Sequence, residues 1–144
     1  MTQAFHEATS RLQIIQSLCL SMSSRLEEDA GAITIPKSYE YEGQLQGFRE
    51  IADDTHEAVT SITASPSGET VQAAIQALVR KIENRKIISQ DEYSIHEKYK
   101  QDYRGMMLYY RPMGVESACN KVLEWLADVI QVLHLSIEHL ETNQ

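Results

Sequence analysis

The chain is poor in several things, and each shortage excludes something. Two cysteines in 144 residues, Cys19 and Cys119, form no CxxC pair and no zinc spacing, so neither a disulfide framework nor a zinc finger is encoded. Both sit in apolar helical runs, as buried free thiols in a reducing compartment do. Three prolines and six glycines leave long stretches free to be regular. Lys and Arg number 13 against 21 Asp and Glu, a formal charge of −8, which argues against a nucleic-acid backbone as partner and gives no reason to expect DNA binding. No apolar run spans a bilayer: "IIQSLCLSM" is interrupted by Gln and Ser, and "MTQAFHEATSRL" lacks the basic n-region expected of a secretion signal. The expectation is a cytoplasmic protein, with export by a route that reads no cleavable signal left open.

What is present is helical periodicity. The length suits one domain over 1–144 with a real core and no staples. Phe5, Ala8, Leu12, Ile15, Cys19, Met22 and Leu26 recur at steps of three and four, predicting a helix over about 3–29 ended by Gly31. "GAITIPKSYEYEG" lacks the period and reads as an extended connector that tucks Ile33 and Ile35 onto the bundle, with Ser38 capping a second helix over about 38–64. In that helix Gly43 and Gly47 cost helix propensity but would let another backbone come close.

"SPSGE" at 65–69 punctuates the chain, with Ser65 as cap and Pro66 in a first turn, and predicts a third helix over about 66–87. "SQDE" at 89–92 has capping-box spacing, so a fourth helix is expected over about 89–111, one continuous long helix being the competing expectation. Arg111, Pro112 and Gly114 should break it, and a last helix over about 115–141 carries an apolar arc wide enough for a central position or a dimer face. No repeat and no credible strand appears. The fold class is therefore all-α, an antiparallel up-and-down bundle of four to five helices.

Three candidate sites follow. The first is "KYKQDYRGMMLYYRPMG" at 98–114, where four tyrosines and three methionines lie among cationic side chains. Tyr and Arg are enriched in interface cores and Met adapts its shape. A stripe of Tyr99, Tyr103, Met106 and Tyr110 is expected to pack inward, with Met107, Tyr109 and Arg111 off that stripe and exposed. With Trp125 of the last helix, Tyr99, Tyr103, Met107, Tyr109, Tyr110 and Arg111 make the expected interaction surface, for another protein or for a second copy in a homodimer.

The second is "REIADDTHEAV" at 49–59. At about 100° per residue, His56 lies roughly 70° and Arg49 about 90° from the seam of its helix, with Asp53 further round, as on a solvated shoulder. Arg49 and His56, an Arg and a His separated by six residues, also resemble the RNA-cleaving pair of the HEPN family of helical bundles. The resemblance implies a metal-independent ribonuclease working at a dimer interface, His56 as acid or base and Arg49 holding phosphate. It covers two residues, and Glu50 stands where that family usually has a polar residue.

The third is a metal site. Helix bundles hold metals through inward His and carboxylates, and His6, His56 and His134, with Glu138 four residues after His134, would lie toward one end of an antiparallel bundle. The chain has no Glu-x-x-His. No Gly-x-Ser-x-Gly elbow, Cys–His pairing or glycine-rich phosphate loop is encoded either, so no cofactor or small-molecule substrate is inferred and no motif calls for an enzyme. The favoured reading is a non-enzymatic protein–protein interaction module, an adaptor, chaperone, effector or inhibitor, that docks through a helix face.

Overall fold

The computed structural model describes residues 2–29 and 35–137, with side chains from His6 onward in the first helix. Four long helices make up the fold: α1 (Thr2–Asp29), α2 (Ile35–Ala64), α3 (Gly68–His96) and α4 (Tyr103–Val132). A single 3-10 turn at Glu97–Tyr99 joins the last two. Consecutive helices run antiparallel through short connections, and the architecture is an all-α bundle. Among the described residues no helix is long and apolar enough to cross a membrane.

Most of the seam read from periodicity in the first helix, and apolar residues at similar spacing in the other three, form the core. Ala8, Leu12, Ile15, Cys19 and Leu26 of α1, Phe48, Ile51, Ala52, Val59 and Ile62 of α2, Val71, Ile75, Leu78 and Ile82 of α3, and Val115, Val122, Leu126 and Val129 of α4 are all buried. Polar groups on these seams are satisfied within their own helix: Thr55 Oγ1 donates to the Ile51 carbonyl at 2.8 Å and Ser23 Oγ to that of Cys19 at 2.9 Å.

The bundle is not a square. The extensive interfaces are α2 with α4, α1 with α2 and α3 with α4, while α1 barely touches α3 or α4. Two parallel helices, α2 and α4, therefore press together in the middle, and small residues allow it. A Cβ on Gly43 would fall on the Arg111 carbonyl, one on Gly114 would fall on the Glu40 carbonyl, and one on Gly47 would stand 2.8 Å from the Ala118 Cβ. The close approach expected of Gly43 and Gly47 is thus made, against Gly114 and Ala118. Of the two roles open to the broad last helix, α4 occupies the central one.

Several boundaries differ from expectation. Helix α2 begins at Ile35 rather than 38, because Pro36 suits a first helical turn, and Ile35 is left exposed rather than tucked in. Helix α3 begins at Gly68, capped by Ser67 accepting from Thr70 N at 3.1 Å, not at Ser65 and Pro66. "SQDE" is no break: Ser89 is buried, donates to the Arg85 carbonyl at 2.9 Å, and α3 runs on to His96, though not to 111 as one continuous helix would.

The largest correction concerns Pro112, which lies buried inside α4. A proline forfeits one helical hydrogen bond, but here its turn also carries Gly114 into contact with α2, and that tertiary contact keeps the helix whole. The chain turns instead at 97–102, where Asp102 N donates to the Tyr99 carbonyl at 3.0 Å and Gly105 lies against the Tyr99 backbone, where no side chain would fit.

Helix α4 then stops at Val132 rather than 141. His134 adopts φ 54°, its N–H bonds the Gln131 carbonyl and Leu135 N–H that of Ile130, a Schellman closure with histidine where glycine is usual. The turn sends Ile137 back into the core. The expectations for the Phe5 side chain, Gly31 and Ile33 fall on residues or side chains outside those described.

Candidate functional site: a groove between α2, α3 and α4

A groove of about 930 Å³ lies between α2, α3 and the start of α4. Met107, Leu108, Pro112 and Val115 of α4 and Ile88 of α3 form its apolar part. Leu108 and Ile88 remain 44% and 58% exposed. Ile87 and Ile95 of α3 and Val132 of α4 are exposed as well, but they do not line the groove.

The walls are charged and largely self-neutralised. Asp54 Oδ2 lies 3.0 Å from both terminal nitrogens of Arg85, whose Nε lies 3.3 Å from Glu50. Lys81 reaches Glu57 at 2.8 Å, and Arg111 reaches Glu42 at 2.7 Å. In each case a cation of α3 or α4 meets a carboxylate of α2, so ion pairs tie α2 to both neighbours at the edge of the core. Burial pushes the Asp54 carboxyl above its ordinary value, outweighing the pull of Arg85 and Lys81. The exposed Lys81–Glu57 hydrogen bond shifts its partners the other way, raising Lys81 and lowering Glu57.

Behind the groove the thiols are closed off. Burial pushes Cys19 up to about 12 and Cys119 up to about 11, values at which neither is a nucleophile near neutral pH. On the far flank of α4, Tyr109 packs edge-on against Tyr93 and Tyr110 with centroids 5.9 and 4.9 Å away. Glu116 there accepts from Gln90 at 2.6 Å and from the Tyr93 hydroxyl at 3.1 Å; desolvation first, then that bond, raises Tyr93.

The residues expected to form an interaction surface are therefore divided. Met107 and Arg111 line the groove. Tyr99 and Tyr103 are 50% and 75% exposed and do not line the groove; they are not packed inward, because the turn at 97–102 interrupts the stripe they were expected to share with Met106 and Tyr110. Tyr109 and Tyr110 are half-buried in the aromatic cluster with Tyr93, on the other flank. Trp125 is half-buried at the opposite part of α4, stacked on Phe48 with centroids 6.3 Å apart, and belongs to the core boundary.

Arg49 and His56 lie outside the groove, both exposed, and the Arg49 guanidinium is paired with Glu27 of α1. His6, His56 and His134 are exposed, Glu138 lies outside the described residues, and among the described residues no three potential ligands come together as a metal site. The groove residues that periodicity did not select are Ile88, Leu108 and Pro112, with Glu50, Asp54, Arg85, Glu92 and His96 beside them, whereas Val115 belongs to the expected seam of the last helix. The spacing Leu108, Pro112, Val115 was a usable signal once Pro112 is kept inside a helix.

In comparisons with known proteins no family model matches this chain, and neither a curated protein nor a solved structure matches it significantly.

Proposed function

We propose that the chain is a non-enzymatic protein–protein interaction module, of adaptor, chaperone, effector or inhibitor type, and that it docks a helix of another protein in the groove between α2, α3 and α4. The observation that carries this reading is the pair Ile88 and Leu108, apolar and half-exposed above a floor of Pro112 and Val115. Exposed apolar surface in a concave setting is what helix-in-groove recognition uses.

The charged groups around the groove support the same reading. Arg85, Lys81 and Arg111 each end on a carboxylate of α2 rather than converging on one point where a reacting atom would sit. Free, buried thiols fit a reducing setting such as the cytoplasm. A second copy of the chain is the competing occupant; it would bring together two chains each of formal charge −8.

The test is substitution of the groove's apolar rim. Leu108→Asp and Ile88→Asp change exposed positions, so helicity by circular dichroism should be unaltered. A protein that co-purifies stoichiometrically with the wild type from the source cells should be lost with either variant. Its retention by both would overturn the groove assignment, and a doubled mass without any other protein would favour the second copy.

A further inference from the structure

We infer that the helix docked in the groove is a basic amphipathic one, and that a Lys or Arg beside its apolar stripe pairs with Glu92; the inference rests on the docking reading above and adds the partner's charge. Three cations line the groove, Lys81, Arg85 and Arg111, and each is already satisfied. Lys81 is taken by Glu57, Arg111 by Glu42, and Arg85 by Asp54 and Glu50 together. A ligand therefore finds no lining cation that lacks a carboxylate.

The lining charge left over is Glu92. It stands on α3 one turn beyond Ile88, is exposed, and among the described residues has no cation or histidine within ion-pair distance. Gln46 of α2, which also lines the groove, donates at 3.3 Å to Glu50 instead. The cations that follow Glu92 in the chain do not reach it. Lys98 and Lys100 rest over the rings of Tyr99 and Tyr109, 5.4 and 5.5 Å from the centroids, and neither they nor Arg104 line the groove. Residues 91–104 carry four acids, Asp91, Glu92, Glu97 and Asp102, against those three cations, so the surroundings keep the sign of Glu92. The chain as a whole, at −8, attracts a cationic ligand and repels an anionic one.

The occupant is a helix rather than an extended strand. All groove-lining residues are helical, so their backbone groups are already paired and offer an extended peptide no ladder. A helix brings its own backbone bonds and needs only an apolar stripe. From Lys81 to His96 the α3 wall runs about 22 Å, room for about four turns and anchors at i, i+3 or i+4, and i+7. Ile88 and Glu92 lie one turn apart on that wall, so one helix can use both. A Lys or Arg suits the second position, because its stem covers apolar surface while its charged head meets the carboxylate.

The experiment uses the full chain, labelled with ¹⁵N, and two hydrocarbon-stapled peptides with the same leucine stripe, one flanked by four lysines and the other by four glutamates. The expected result is shifted amides at Ile88, Leu108 and Val115, with the lysine peptide about tenfold tighter at low salt, an advantage that shrinks in high salt. In Glu92→Gln, a change at an exposed and unpaired position, the fold should be unaltered and the advantage should drop to about threefold. Shifts at the groove with equal affinity, or with the glutamate peptide preferred, overturn the basic partner and leave the groove reading standing. A lysine preference unchanged in Glu92→Gln overturns the pairing with Glu92. No shift at the groove with either peptide overturns the groove reading as well.

Discussion

Gly43 of α2 faces the carbonyl oxygen of Arg111 in α4, while Gly114, three residues on, faces that of Glu40. The two helices thus touch backbone to backbone, and the groove floor, which starts in the same turn of α4, is fixed relative to the α2 wall. Alanine at either glycine should raise helix propensity by about 1 kcal/mol yet force its Cβ into a carbonyl. Overpacking of this kind costs about 1–3 kcal/mol. Gly43→Ala and Gly114→Ala should each lower the urea midpoint, and an unchanged or higher midpoint would mean that the helices lie further apart.

His134 occupies the left-handed position of the Schellman closure at φ 54°. A non-glycine residue there costs about 1 kcal/mol. His134→Gly is therefore expected to stabilise the fold by roughly that amount in equilibrium unfolding. Destabilisation would show that the imidazole makes contacts worth more than the backbone strain.

Trp125 and Tyr103 should respond oppositely. Trp125 stacks on Phe48 at the core boundary, and removing a large aromatic from such a place costs about 3 kcal/mol. Tyr103 is 75% exposed, and Tyr103→Ala should change stability by less than about 0.5 kcal/mol. Unfolding curves for the two alanine variants check both values, and a small effect at Trp125 would return it to the binding surface.

The periodic seams, the bundle class and the glycine approach of α2 were all legible in the sequence, because each depends on spacing within one helix. The turn between α3 and α4 was not. "EKYKQD" contains neither glycine nor proline, whereas Pro112 and Gly114 look like a break and are held in register by α2. Once the break is put at Pro112, Leu108 and Val115 fall on different helices and the groove floor disappears from view. The end of α4 was hidden for a related reason, since histidine stands where glycine would announce the stop. The groove itself draws on three helices, and no single periodicity can place Glu50, Arg85 and Leu108 together.

Asp54 gives the fold a pH dependence of definite sign. Its carboxyl is held above the ordinary 3.8 by burial, so the folded chain keeps that proton to higher pH than the unfolded chain does. The stability tied to the bound proton is present below about 3.8 and is lost as pH rises through the folded value. Asp54→Asn cannot titrate. As pH rises above 3.8 the wild-type urea midpoint should fall relative to that of the variant. A wild type that gains on the variant over this range would show that pairing with Arg85 dominates.

Cys19 and Cys119, pushed up to about 12 and about 11 by burial, should both resist alkylation in the folded protein at pH 8. Both should become reactive together as urea unfolds the chain. Rapid labelling of either thiol under native conditions would place it at the surface.

The central claim is that the groove is where another protein binds, and its most direct test is site-specific photo-crosslinking in the cells that make the chain. A benzophenone side chain at position 108 or 88 in the groove should yield one discrete adduct with the same partner. The same group at Leu20 of α1 or Thr60 of α2, both exposed and away from the groove, should not. An adduct from Leu20 or Thr60 in place of the groove positions would contradict the account.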